Sequence, residues 1–440
     1  MYLSRFLILT CGLTLAASIH ACPVSDSSDT SISGDQLAKQ AANPGISKNT
    51  RIVLKLSHQL EEATAGRFKE LLDGFNSSQS DIIVKKTKRV ADDSIRQLNL
   101  LTLEEHARFV SEKARFRPLD EVMREARISF DSNRFSTDIL DGTNFRRGRL
   151  MALPLAFSTP ILYYNKEAFR KAGLDPATPP RTWIEVREAA GKLAEAGKIC
   201  ILTLSRPAWV MIDNLSAWNG VPTSDATRNL TFNGLAQIRH IAMMAAWHKG
   251  NYFSYFGRYD EADHHFFSGE CAMLVSRSSL FPLFKTNENL DFGVSALPYH
   301  DEAYGAPQNT LADGASIWVA AGLNASENRA VARFIAYLLE PEIQIRLTVA
   351  GGFLPMTPVA RAAARSRLLE DEVLALNIAY RQLQGRRFEP PLRVSQIESV
   401  RTIIEEELES VWANKKSAKE ALDDAVRRGN SVLRPATPGR

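Results

Sequence analysis

The sequence predicts an exported α/β protein built on a mostly parallel sheet, and three observations predict it. Behind residue 50 the chain opens with a strand-like run, an amphipathic stretch and a second strand-like run, the βαβ pattern of parallel sheets. Strand-like runs then alternate with helical periods toward the end of the chain. Ahead of residue 50 stand a basic start, an apolar run and a small-residue cleavage site, followed by a polar tract with no apolar period.

The elements follow in order. Arg51 to Leu56 and Asp81 to Lys85 are the opening strands. Between them Phe68, Leu71, Leu72 and Phe75 share one face of the stretch Ala63 to Phe75. Ile161 to Tyr164 is a β-rich run suited to a half-buried pleated surface. Asn165 caps a short helix that Gly173 ends in a left-handed conformation, and Pro179 and Pro180 forbid its continuation. Thr182 and Glu185 form a capping box for a helix with Trp183, Val186, Ala190 and Leu193 on one face. Ile317 to Ala321 is a buried-strand pattern. The stretch Ser326 to Leu339 behind it carries the stripe Val331, Phe334, Ile335, Leu338 and Leu339. Near the end Val400, Ile403, Ile404, Leu408, Val411 and Trp412 keep the helical period. Ser417 and Glu420 box-cap a last helix, which Gly429 is expected to end. No internal repeat of solenoid period occurs.

Arg5 and the apolar run Phe6 to Ala17 read as a signal peptide over 1–21, too short for a convincing membrane span. Residues 22–50, rich in Ser, Asp, Asn and Gly, read as a flexible tether. Cys22 stands where a lipoprotein carries its acylated cysteine, although His20 departs from the usual residue two positions before it. Lipidation at Cys22 and plain cleavage after Ala21 both stay open. Cys11 leaves with the leader. If Cys22 is acylated, Cys200 and Cys271 remain as one even pair in an oxidising compartment, either disulfide-bonded or two buried thiols.

Composition excludes little and motifs exclude more. The 440 residues are 45% hydrophobic and 24% charged, ordinary values for a globular protein, with 54 basic against 50 acidic side chains. No basic block with interleaved aromatics suggests a nucleic-acid partner. There is no P-loop, no G-x-G-x-x-G, no G-x-S-x-G and no H-E-x-x-H, so neither nucleotide chemistry nor these hydrolase patterns are supported. Asp263, His264 and His265 cluster, but adjacent helical residues point to different faces, and a solvated face is the plainer reading than a metal site. The acidic run Glu405 to Glu407 is expected on the polar face of its helix. No cofactor is implied.

Several segments carry a resemblance beyond local structure. Ser158 to Trp183 reads STPILYYNKEAFRKAGLDPATPPRTW, Asn214 to Gly220 reads NLSAWNG, and His240 to Met243 reads HIAM. Gly269 to Met273 reads GECAM, Ala306 to Val319 reads APQNTLADGASIWV, and LRVSQIESV begins at Leu392. Together these resemble the extracellular solute-binding proteins of ABC importers, in their glycerol-phosphate-binding branch. The likeness is dense from about residue 150 to 433 and weak from about 51 to 146.

The resemblance implies a type II periplasmic binding protein fold, with two α/β lobes joined by three hinge crossings and a ligand cleft between them. On this chain it places the first lobe at 51–157 and 317–352, and the second at 159–315 and 354–440. It implies a monomeric periplasmic receptor, soluble or lipid-anchored, that captures sn-glycerol-3-phosphate or a glycerophosphodiester. The partners would be permease subunits and their ATPase. A receptor retuned to a sugar or another anion, or a sensor lipoprotein without transport duty, is the alternative.

The same resemblance nominates the site. Arg393 would take the phosphate through bidentate hydrogen bonds. Ser158 and Ser278 would supply hydroxyls, Gly314 a close backbone approach, and Arg277 a second cation. Trp209 would offer an apolar face with one N–H. Arg206 stands where the family has a second tryptophan, and Phe353 where it has a tyrosine, so stacking surface is traded for charge and a hydroxyl is lost. Glu105, with Glu104 as its rival, would be the first-lobe carboxylate. A tyrosine position falls near Ala91, and about a dozen residues of the family pattern are missing between Ser94 and Leu101. His58 matches a family histidine in the first strand-to-helix turn.

Overall fold

The structure is a computed structural model that describes residues 51–433 apart from 61, 90–94, 136–144, 147–148, 228, 304 and 385–395. The signal segment, the tether, Cys22, Ala91, Ser94 and Arg393 lie outside the described residues.

Two large sheets, beside a two-stranded one of Phe145–Arg146 and Arg149–Leu150, confirm the α/β class. In the first, Ile52–His58 pairs in parallel with Ile82–Lys88 and with Leu98–Thr102. Strand Asp313–Ala320 then joins antiparallel to Leu98–Thr102, and Phe116–Arg117 and Leu153–Ser158 pair antiparallel on it. In the second sheet Cys200–Leu204 is parallel to Phe253–Ser254 and to Cys271–Arg277. Strand Pro160–Asn165 runs antiparallel between Cys271–Arg277 and Phe292–Ala296. Both sheets are therefore mixed rather than mostly parallel.

Burial on both faces explains why these strands lack a polar-apolar alternation. Leu162 and Tyr164 enter one core with Trp183, Leu202 and Leu408, while Ile161 and Tyr163 enter another with Phe266 and Phe284. In the first sheet Ile317 and Val319 share a core with Leu54, Phe75 and Phe334, and Trp318 faces the opposite way beside Leu101 and Phe109.

Local signals place most ends. Asn165 accepts from the Ala168 N–H, Gly173 has φ +69°, and Thr182 with Glu185 completes its capping box on helix Trp183–Glu195. Helix Ala325–Leu338 is capped by Asn324. The last helix, Ala418–Leu433, starts at the Ser417–Glu420 box but runs past Gly429. The reason is packing: a Cβ on Gly429 would stand 2.5 Å from Leu230 Cδ1, so this glycine serves close approach and not termination. Cys200 and Cys271 are bonded as a disulfide across neighbouring parallel strands, with their Cα atoms 4.4 Å apart.

The chain passes between the sheets at Ser158–Pro160, where one strand ends and the next begins. It returns through 297–312, because Asp313–Ala320 lies wholly in the first sheet; this is ahead of Ser316, where the crossing was expected. Leu354, Met356, Ala364, Leu376 and Tyr380 pack in the first core, whereas Val400, Ile403 and Ile404 pack in the second. Helix Glu370–Arg381 between them touches the cores of both sheets, with Leu376 and Tyr380 in the first and Ala375 beside Ile161 and Tyr163. Gln382 ties the passages together. Its Nε2 donates to Thr159 Oγ1 at 2.5 Å, its Oε1 accepts from the Leu297 N–H at 3.1 Å, and its carbonyl accepts from the Thr310 N–H at 2.6 Å. Thr159 and Thr310 hydroxyls meet at 2.9 Å.

Candidate ligand cleft at the lobe junction

The site is built where strand ends of both sheets meet. Ser158 ends its strand opposite Asp313, and Gly314 follows opposite Phe157. Thr159 donates its N–H to Ser278 Oγ at 3.2 Å, and the Ser278 N–H returns to the Thr159 carbonyl at 2.9 Å. Ser158 and Ser278 are both buried. Gly314 is required here for a reason internal to the fold: its Cβ would stand 2.0 Å from the Ala156 carbonyl oxygen. The strand pairing, at a register shift between Ala315 and Ser316, demands the glycine.

Around these residues lies a charged network. Arg206, at φ +54°, an uncommon conformation for a long side chain, forks onto Asp260 with bonds of 2.9 and 3.2 Å. Its Nη1 stands 4.0 Å from Asp313. Arg277 reaches Asp260 at 3.2 Å and Asp263 at 4.0 Å. Burial, joined by the charge of Asp260, pushes the Asp263 carboxyl up to about 6, against the pull of Arg277 and the Ser205 hydroxyl. Arg401 bridges Asp213, at 3.1 Å, and Glu104. Burial pushes the Asp213 carboxyl up against the pull of Arg401. For the guanidinium of Arg401, burial lowers the pKa but the two carboxylates prevail, and it lies above its ordinary value.

Other nominated residues lie elsewhere or serve the fold. Trp209 sits in a short π-helix, Ala208–Asn214, and is buried in the second core, so its ring face is taken by packing. Phe353 packs partly buried against the first core, beside Gly351. Glu105 is buried, ion-paired with buried Arg89, and completes a capping box with Thr102 on helix Leu103–Ser111. His58 is buried, and its Nδ1 accepts from the Leu60 N–H, a turn role. A cavity of about 250 Å³ is lined by Leu215, Gln237 and His300 and by none of the nominated residues.

Two acidic groups expected in solvent are not there. Glu405 and Glu407 are buried: Glu407 pairs with Lys416 and Arg428, and Glu405 accepts from the Ala208 N–H at 2.7 Å. The Glu405 helix packs against that of Trp209, so one face of Ile397–Trp412 must enter the core. Asp263 is buried too, and His265 stacks on Phe256; among the described residues no group of three side chains could hold a metal ion.

Burial raises the Glu405 carboxyl to about 8, with the Ala208 N–H opposing. The folded protein therefore binds this proton more tightly than the unfolded chain. The resulting stability is present in full below the ordinary glutamate range and is lost as pH rises through about 8. Glu405→Gln keeps the acceptor for Ala208 and has no proton to lose. Urea unfolding from pH 5 to 9 is expected to show wild type declining against this variant by up to about 1.4 kcal/mol per pH unit. Parallel curves would refute a raised pKa.

Sequence reasoning missed Arg401, Asp213, Asp260, Asp313 and Gln382. None carries a local signature, since their side-chain partners lie far away in sequence: Asp260 is 54 positions from Arg206, and Arg401 is 188 from Asp213.

Two mixed sheets, chain passages between them and a charged network where they meet define a two-lobed α/β protein. Residues 75–371 match the family described as bacterial extracellular solute-binding protein, and the chain belongs to that family. The sn-glycerol-3-phosphate-binding periplasmic protein UgpB of Pectobacterium atrosepticum is 38% identical over 334 residues, 72% of this chain and 74% of the relative. UgpB of Salmonella typhimurium is 38% identical over 329 residues, 72% of this chain and 75% of its own. Among solved structures, UgpB from Mycobacterium tuberculosis in complex with glycerophosphocholine superposes with a TM-score of 0.73 at 21% identity. That match covers 86% of this chain and 98% of the other. The MalE maltose/maltodextrin-binding domain from Bdellovibrio bacteriovorus gives 0.69 at 17%, covering 87% and 100%. At these identities the two structures speak for the fold alone. Membership makes this chain a binding protein of ABC import and not an enzyme. Among the described residues no helix is long and apolar enough to cross a membrane.

Proposed function

We propose that this protein is the periplasmic receptor of an ABC importer, closing its two lobes on a glycerophosphoryl compound, sn-glycerol-3-phosphate or a glycerophosphodiester, and presenting it to permease subunits powered by their ATPase. The observation that carries this reading is the 38% identity, over 72% of the chain, to relatives named for sn-glycerol-3-phosphate binding. Site chemistry supports it. Arg206, Arg277 and Arg401 converge on the junction, and guanidinium groups suit phosphate oxygens in bidentate geometry. A phosphate entering there would exchange for Asp260, Asp313 and Glu104 on these donors.

In this reading Arg393 is the principal phosphate ligand, Ser158 and Ser278 supply hydroxyls, and Arg206 and Arg277 add positive charge. Trp209 and Phe353 support the wall from the cores, and Glu105 acts through Arg89. The receptor works as a monomer, anchored through Cys22 if that residue is acylated.

Calorimetry of the mature protein with sn-glycerol-3-phosphate, glycerophosphocholine, maltose and phosphate tests the reading. Binding of a glycerophosphoryl compound is expected, with Arg393→Ala weakening it on the order of 100-fold, as for loss of a buried charged partner. Unchanged affinity in that variant would remove Arg393 from the site. Binding of maltose alone would replace the ligand class.

A further inference from the structure

Arg401 spans the two lobes. It lies on helix Ile397–Trp412, whose Val400, Ile403 and Ile404 are anchored in the second core. Asp213, its partner at 3.1 Å, belongs to the π-helix of the same core. Its other guanidinium nitrogen bonds Glu104, on helix Leu103–Ser111, which extends from a strand of the first sheet. Glu104 is only 8% exposed. The Arg401 Nε is buried without a hydrogen-bond partner among the described residues. Of the cleft arginines, Arg206 is held mainly by Asp260 of its own lobe and only grazes Asp313 at 4.0 Å. Arg401 with Glu104 is thus a close charged contact from one lobe to the other.

We propose that Arg401 is a positioning residue that sets lobe closure: Asp213 aims its guanidinium, and Glu104 of the opposite lobe docks on it as an ionic latch. Opening the lobes separates this pair and leaves Arg401 with Asp213, so the pair favours the closed arrangement by the strength of a largely desolvated contact. The affinity of a receptor that closes on its solute scales with the fraction already competent to bind, so the latch raises affinity without touching the solute. The latch rests on the two-lobed fold; only the affinity arm below rests on the proposed ligand.

Small-angle X-ray scattering of the mature protein in ligand-free buffer tests this. Glu104→Gln is expected to expand the particle relative to wild type, and Arg401→Lys, which keeps a cation for Asp213 but loses the fork, is expected to do the same. Asp213→Asn leaves Glu104 on Arg401 and is expected to stay compact. In titrations with sn-glycerol-3-phosphate, Glu104→Gln should raise Kd about tenfold if the closed fraction falls tenfold. Removing a negative charge near an anion would by itself lower Kd, so the sign separates a latch from simple repulsion, and the ligand-free scattering separates it from a direct contact of Glu104 with the solute. Glu104→Gln and Arg401→Lys scattering identically to wild type would overturn the proposal. A missing response to sn-glycerol-3-phosphate, with expansion still seen, would overturn the ligand reading instead.

Discussion

Replacing Glu105 with alanine is expected to destabilise the protein by about 3–5 kcal/mol, because it strips the partner from a buried charge. Arg89 is 4% exposed and pairs with Glu105, while donating also to the Leu100 carbonyl and to Ser57 Oγ. Alanine leaves the guanidinium buried and under-compensated. It also deletes one half of the capping box, since the Thr102 N–H donates to Glu105 Oε2 at 2.9 Å. Glu105→Gln keeps an acceptor for one of the two contacts, since Arg89 and the Thr102 N–H donate to different oxygens, and should lose less than alanine. Urea unfolding of the three proteins measures the difference. A loss under about 1 kcal/mol for the alanine variant would mean that Arg89 finds water or another partner, and the structural role given to Glu105 would fall.

Gly314→Ala should cost about 3 kcal/mol or more, through overpacking that no side-chain rotation can relieve. The added carbon would meet the Ala156 carbonyl oxygen at 2.0 Å and the Phe157 Cα at 2.7 Å. All of these atoms are backbone, so the two paired strands must part at the first passage between the lobes. The same substitution at Gly66, in helix Glu62–Ser78, meets nothing within 4 Å and should stabilise by about 0.5–1 kcal/mol. Opposite shifts in melting temperature would verify the pair. A Gly314→Ala protein that melts with wild type would show that the strands can separate cheaply there, and the glycine would need another explanation.

Those two residues show how the legibility of this chain divides. Turn chemistry was readable wherever its partners lie within a few residues: Asn165 with Ala168, Thr182 with Glu185, Ser417 with Glu420. The opening strand, helix and strand appear with ends shifted by a few residues, as Ile52–His58, Glu62–Ser78 and Ile82–Lys88. Gly429 misled because a glycine near a chain end reads as a stop, whereas Leu230 needs the space. Glu405 misled because acidic runs usually face solvent, and nothing near it in sequence announces the Ala208 N–H it accepts from. Arg206 and Trp209, read together as cleft walls, part in the structure: one is held by Asp260 and the other is enclosed by the second core.

Taken alone, the sequence determined what short-range forces decide: the α/β class, the helix caps, and through the order of its motifs the family. Tertiary structure decided which charges meet. Glu104 and Arg401 are 297 positions apart and Thr159 and Gln382 are 223 apart, and no periodicity or propensity encodes such pairs. They exist because the chain crosses between two sheets and lays distant segments side by side, where burial makes each unpaired charge too costly to leave.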